Sequence, residues 1–284
     1  MTKVIEGYSI NTSVIAGEGM QGTVVVAEHV ASKRQVVAKI TKLDSKIQKD
    51  RFLSENILLA ETQGCKGVVK LENYFIDGPY GISILEKMPY DLMTLIEKDM
   101  LTVPQRMNVF KLVCNAVKEL HDKRVVHLDI KPENILVSSD FLSIKLCDFG
   151  NAQSLPPSGL VTTSCGTILY SAPENYSGNP FDGKKADIWS LGILYHVLIS
   201  YHWPYEIHSE MDLRTKVETG ALSYQVFLND TEKVLMEKMV AISSVDRVDI
   251  VTLCSLLNDR RRSTLKPRKI ISRIFQSAGL RRSH

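Results

Sequence analysis

Residues His127 to Asn134 read His-Leu-Asp-Ile-Lys-Pro-Glu-Asn, and Cys147-Asp148-Phe149-Gly150 follows shortly after. This stretch holds a candidate base and two candidate magnesium ligands. Asp129 can accept the proton of an attacking hydroxyl, Lys131 can hold a transferring phosphoryl group, and Asn134 with Asp148 can hold magnesium on nucleotide phosphates. The last two are oxygen donors of the hard type that magnesium takes, with phosphates and water completing its shell. The implied chemistry is phosphoryl transfer from ATP. A lone His-x-Asp or Asp-Phe-Gly arises by chance in many chains, so the weight rests on the flanking residues.

Those residues must supply elements that aim the site. Gly17, Gly19 and Gly22 let backbone amides approach phosphate oxygens where side chains would collide. The same pattern marks dinucleotide sites, where it joins a strand to a helix; here valines follow, which favours strand-loop-strand. Val24–Val26 and Gln35–Ile40 read as strands joined by a polar turn at Ser32-Lys33-Arg34, and the second carries Lys39. A helix should follow, capped by Asp44 or Ser45 and ended by Gly64, with Phe52, Glu55 and Leu59 on one face. That turns the Glu55 carboxylate inward, where it could hold Lys39 over the α- and β-phosphates. The alternative is two unrelated surface charges. Further strands are expected at Val68–Phe75 and Gly81–Glu86, then a connection at Lys87-Met88-Pro89-Tyr90. Thr102-Val103-Pro104-Gln105 predicts a capping-box start to an amphipathic helix reaching about Lys123. Leu155-Pro156-Pro157-Ser158-Gly159 must be loop.

Gly166-Thr167, Ala172-Pro173-Glu174 and Asp187-Ile188-Trp189-Ser190-Leu191-Gly192 complete a series. In this order and approximate spacing, the chain resembles the eukaryotic-type serine/threonine protein kinases over about residues 8 to 275. The resemblance implies a single α+β, two-lobed domain. A small antiparallel β-rich lobe with one helix would span residues 1–86, and a larger, mostly helical lobe residues 87–284. ATP with Mg2+ would bind between them. Ala38, with Val24 above and Leu136 below, would sandwich the adenine, Glu86 and Met88 would offer backbone hydrogen bonds, and Leu85 would guard the inner pocket. His127 would stack in a core column with Leu59, Leu71, Phe149 and Asp187 rather than transfer protons. Gly150 would permit the backbone reversal that aims Asp148. Glu174 would pair with an arginine near the C-terminus, Arg262, and Trp189 would be core. Lys131-Pro132-Glu133 and Thr167 are of the serine/threonine type. The chain is also similar to compact kinases of large DNA viruses, such as the baculovirus late kinase linked to arginine-rich DNA-packaging proteins; viral origin would place it in the host nucleus.

Two departures from the family pattern bear on regulation and substrate. Leu128 stands where many members carry an arginine that receives a phosphate from the activation segment, the stretch between Asp148 and Glu174. Thr163 stands where that phosphothreonine would be, so the segment is expected to hold its active form by packing alone. Asp91 and Glu133 match an acidic pair that receives an arginine three residues before the target in basophilic relatives, whereas Leu169 and Val197 replace a second pair. A basic protein substrate is expected, against the alternative that each acid is only a solvated carboxylate.

Composition sets the remaining bounds. With 284 residues, 44% of them apolar, the chain can bury a sizeable core. Five scattered cysteines without CxxC spacing argue for reduced thiols in the cytosol or nucleus. By the resemblance Cys147 would lie near the phosphate pocket and Cys165 in the activation segment, and burial makes inert thiols the commoner case. The apolar run at Leu191–Ile199 is interrupted by His196 and falls far short of the ~20 residues that span a bilayer, so no membrane association is expected. Net charge is +3, yet nine of the 35 Lys and Arg fall between Arg260 and Arg282. The favoured reading is a terminal helix with a solvated face, the other a docking surface for an acidic partner or nucleic acid. Two rival functions stay open: a pseudokinase that binds nucleotide without turnover, and a small-molecule phosphotransferase, which the Ala172-Pro173-Glu174 motif does not support.

Overall fold

β-Branched residues at alternate positions make one face of a sheet apolar, and the first quarter of the chain is built this way. Strands β1 (Thr2–Ile5), β2 (Tyr8–Gly19), β3 (Gly22–His29), β4 (Gln35–Lys42), β5 (Leu71–Asp77) and β6 (Tyr80–Glu86) form one sheet of order β1-β2-β3-β4-β6-β5, antiparallel throughout. Tyr8, Ile10, Val25, Ala27, Val36, Ala38, Ile82 and Ile84 bury its inner face. The computed structural model describes residues 2–19, 22–162, 166–205, 209–223 and 230–258.

Helix α1 (Lys46–Glu61) packs on β5 and β6. Of the two candidate caps, Ser45 is the one used: its Oγ accepts the Gln48 N–H at 3.2 Å. The helix ends before Gly64, because the Thr62 hydroxyl donates back to the Leu59 carbonyl at 2.9 Å and closes the last turn. Two devices fix the helix on the sheet. A Cβ on Gly81 would stand 2.7 Å from the Phe52 ring. Buried Asn56 accepts the Ser83 hydroxyl at 2.7 Å.

The chain then crosses through Lys87-Met88-Pro89 into the second lobe. Among the described residues its helices are α2 (Leu92–Glu97), α3 (Val103–Asp122), α4 (Gly183–Ser200), α5 (Glu210–Thr219), α6 (Asp230–Met239) and α7 (Ile250–Asn258). The capping box is present: Gln105 Oε1 accepts the Thr102 N–H at 2.9 Å and its hydroxyl at 2.8 Å. Helices α3 and α4 pack together at the core, α4 buried almost all round. No helix among the described residues is long and apolar enough to cross a membrane. The fold is the two-lobed α+β architecture.

Short strands carry the loops of the site. β7 (Tyr90–Asp91), β9 (Ile135–Val137) and β10 (Ile144–Leu146) form one ladder, and β8 (Val125–Val126) pairs with β11 (Gln153–Ser154). β12 (Leu160–Val161) pairs with β13 (Phe181–Asp182), a two-residue ladder in which Val161 and Phe181 are buried. The strand expected to start at Val68 begins at Leu71, while Val68 makes an isolated parallel bridge to Leu146 and so ties the lobes together.

The expected partner of Glu174 is corrected. Arg262 lies outside the described residues, and Arg247 makes the pair, with Nη1 and Nη2 donating to the two carboxylate oxygens at 2.5 and 2.8 Å. Its other bonds go to the carbonyls of Ala241, Ile242 and Lys185, so all three guanidinium nitrogens are engaged. The guanidinium also lies 5.0 Å from the ring centre of buried Trp189.

Candidate active site

The loop between β8 and β9 carries the acidic centre. Asp187, fully buried near the start of α4, takes the N–H of Leu128 on Oδ1 at 2.8 Å and that of His127 on Oδ2 at 3.0 Å. His121, at the end of α3, adds Nε2 at 2.9 Å. These bonds hold Leu128 in the left-handed region at φ 59°, which costs roughly 1–2 kcal/mol for a residue with a Cβ. His127 Nε2 donates to the Cys147 carbonyl at 3.1 Å, and its ring meets Phe149 edge-on at 5.2 Å. With that proton committed to the main chain, the imidazole is a structural post.

Asp129 is nearly fully buried and its carboxylate is bound on both oxygens. Oδ1 accepts the Thr167 N–H at 3.0 Å and the Thr167 hydroxyl at 2.9 Å. Oδ2 accepts Asn134 Nδ2 at 3.0 Å and lies 3.2 Å from Lys131 Nζ. Lys131 Nζ also donates to Thr167 Oγ1 at 2.7 Å. Because Asn134 Nδ2 is spent on Asp129, its amide oxygen is the end left for a cation.

Across the cleft, Lys39 Nζ lies 2.6 Å from Glu55 Oε1 and 2.9 Å from Asp148 Oδ1. Burial opposes the lysine charge, but the two carboxylates outweigh it and raise the Lys39 pKa. Asp148 is likewise opposed by burial yet held below its ordinary value by Lys39. Glu55 is raised, because burial and the second carboxylate exceed what the shared lysine returns. One cation between two carboxylates leaves an excess of negative charge beside Asp148. Asp148 itself carries the backbone reversal, at φ 61°; Gly150 does not, which corrects the expectation from sequence.

The glycine-rich hairpin pairs Gly17 with Val24 and Gly19 with Gly22, with Met20 and Gln21 outside the described residues. The steric need falls on Gly22: at φ 146°, an added Cβ would stand 2.3 Å from the Ile40 carbonyl oxygen. Ala38 is fully buried in β4, while Val24 and Leu136 are half-buried. Glu86 donates its N–H to the Lys70 carbonyl at 2.9 Å, so its own carbonyl is the group it can offer a ligand; Met88 follows in the crossing segment.

Asp91 caps α2, accepting the N–H and hydroxyl of Thr94 at 2.7 Å each. Glu133 is open to solvent but has dense protein around it, which together with the charges of Asp129 and Asp91 raises its pKa. Neither acid forms a salt bridge among the described residues. Burial pushes the Cys147 thiol up to about 12, which keeps it an inert thiol at neutral pH. Thr163 and Cys165 lie outside the described residues.

A family model described as a protein kinase domain matches residues 10–274. The chain belongs to the protein kinase family. It is 28% identical over 256 residues to a probable serine/threonine-protein kinase of Dictyostelium discoideum, covering 87% of this chain and 30% of that protein. To the carbon catabolite-derepressing protein kinase of Saccharomyces cerevisiae it is 27% identical over 241 residues, 82% of this chain and 37% of the other. A serine/threonine-protein kinase of Caenorhabditis briggsae is 33% identical over 205 residues, 65% of this chain and 25% of its own. The kinase chain thus spans well under two thirds of these relatives' length.

Some site residues of this kinase escape sequence reasoning. His121 carries no local signal of its role: it sits at the end of an amphipathic helix and braces Asp187, the acid on α4 that holds the loop amides. The β12–β13 ladder had no signal beyond two apolar residues after the Pro-Pro turn. Arg247 stands apart from the arginine-rich end of the chain, and nothing in its local sequence marks it as the partner of Glu174.

Proposed function

We propose that this kinase transfers the γ-phosphoryl group of ATP to serine or threonine in basic proteins. The observation that carries the reading is the Thr167 hydroxyl, which donates to Asp129 Oδ1 while accepting from Lys131. That arrangement is what an acceptor serine or threonine needs: a carboxylate to take its proton and an ammonium to steady the charge that moves. In the reaction the acceptor oxygen attacks the γ-phosphorus, its proton passes to Asp129, and the bond to the bridging oxygen breaks to release ADP. Lys39, fixed by Glu55, would bind the α- and β-phosphates under the glycine-rich hairpin. Asn134 Oδ1 and Asp148 fit magnesium, since both are hard oxygen donors beside an excess of negative charge. Held there, the ion would supply neutralisation of the phosphate charge. The test is phosphate incorporation from Mg-ATP into an arrayed peptide library, where serine or threonine acceptors with arginine three residues upstream should dominate. A requirement for proline after the acceptor, or for acids around it, would defeat the basic-substrate reading.

Asp91 and Glu133 are proposed to receive that arginine, whose planar fork suits two carboxylates better than a lysine point charge. Asp91→Ala with Glu133→Ala should raise the KM for arginine peptides far more than it lowers kcat, since the contact exists in ground and transition states alike. The pH dependence has a definite sign. With its pKa raised, Glu133 takes up a proton at higher pH than an ordinary carboxyl, so KM for arginine peptides should climb as pH falls, and begin to do so before ordinary carboxylates titrate. The double variant should lose that dependence.

Leu128 is buried and offers no charge to a phosphate. Thr162→Ala, Thr163→Ala and Ser164→Ala together should therefore keep most activity. A fall of ~100-fold, about 2.7 kcal/mol of barrier, would make activation-segment phosphorylation essential after all.

A further inference from the structure

We propose that Arg124 is a positioning residue that clamps the start of the activation segment, in place of the phosphate contact that Leu128 cannot make. The inference rests on the phosphoryl-transfer reading above and adds to it a residue outside the nucleotide and acceptor sites. Arg124 follows Lys123, the C-cap of α3, and stands in the left-handed region at φ 59°. That position most often holds glycine, because a Cβ is strained there. An arginine kept there points to a use for its side chain. Its Nη2 donates to the Pro156 carbonyl at 2.6 Å and to the Leu155 carbonyl at 3.4 Å.

The ladder that these bonds extend is short. β8 pairs with β11 through Val125 with Ser154 and Val126 with Gln153, and one more main-chain bond runs from the Leu155 N–H to the Arg124 carbonyl at 2.7 Å. There it must stop, since Pro156 and Pro157 have no N–H to give. The guanidinium continues it, supplying a donor to carbonyls that the main chain of β8 no longer reaches. What hangs on this ladder is the site itself. β8 runs into His127 and Asp129, and β11 follows the loop of Asp148. Beyond Pro156, the Gly159 N–H returns to the Pro156 carbonyl at 2.9 Å, and this turn delivers Leu160–Val161 to β13. The Pro156 carbonyl therefore takes Arg124 and the turn together. Arg124 thus sets where the segment leaves the catalytic loop, and with it the path by which Thr167 returns to Asp129.

The test uses the full chain and three variants. Arg124→Gly relieves the backbone and removes the side chain, Arg124→Met keeps the length without a donor, and Arg124→Lys keeps a donor. With the best peptide from the array, kcat should fall about fivefold or more in the glycine and methionine variants, the worth of one net hydrogen bond. Lysine should recover most of that loss, because a single nitrogen makes both contacts. Hydrogen exchange at the Leu155 amide should quicken in the same two variants, while metal-free nucleotide binding, which rests on Lys39 and the hairpin, stays unchanged. The melting temperature of Arg124→Gly should hold or rise, since glycine releases the strain. Wild-type turnover in all three variants, or lysine as slow as methionine, would overturn the proposal. A slowed glycine variant that also melts lower would overturn it too, since the loss would then be one of folding. A wild type that phosphorylates no serine or threonine would remove the functional reading, whereas unchanged exchange at Leu155 would remove the clamp alone.

Discussion

Asp129→Asn is expected to remove nearly all phosphoryl transfer while leaving ATP binding in place. The amide keeps the shape of the side chain and its bonds to neighbouring donors in part, but cannot take a proton from the acceptor. Loss of a positioned base costs ~10²- to 10⁴-fold in rate. Lys39→Met should be as damaging for a different reason. It withdraws the one cation that separates Glu55 from Asp148, so two buried carboxylates face each other and the phosphate anchor disappears. Turnover of an arginine peptide and nucleotide titration of each variant separate the two effects. Equal rates in the wild type and both variants would mean that the measured transfer does not use this site, and that the chain is a pseudokinase.

The second large effect concerns stability. Arg247→Ala should destabilise the helical lobe by ~3–5 kcal/mol, because it strands Glu174 without its partner and leaves three carbonyls short of donors. At roughly 2–4 °C per kcal/mol for a domain of this size, the melting temperature should fall by about 10 °C. Arg247→Lys should recover little, since one ammonium cannot replace a bidentate fork over the Trp189 ring. A shift of under a degree would show that the pair contributes nothing net.

Much of this was legible in the residues themselves. Phe52, Glu55 and Leu59 share a helical face, and that periodicity is enough to bring Glu55 to Lys39. Thr102 and Gln105 announce a helix start through a local side-chain exchange, so no tertiary knowledge is needed. What stays hidden depends on long-range partners. The end of α1 at Thr62 comes from a hydroxyl that competes for the backbone, which outruns the glycine two residues later. The reversal falls at Asp148 rather than Gly150, and the Asp148 side chain meets Lys39 at 2.9 Å, a long-range partner that the local sequence does not announce. The choice of Arg247 over Arg262 was open because a charge finds its partner through the fold, and nearness to the end of the chain carries no weight in that.

The two-residue ladder between Leu160–Val161 and Phe181–Asp182 has a bearing on how such an enzyme is governed. Main-chain bonds form with folding and have no chemical handle that a phosphatase could remove. A segment fastened in this way alone would be in place as soon as the protein is made, and the enzyme would then carry no memory of an upstream signal. Its output would follow its own abundance and the company it keeps, so cells would set the dose through synthesis, placement and turnover rather than by switching each molecule on and off.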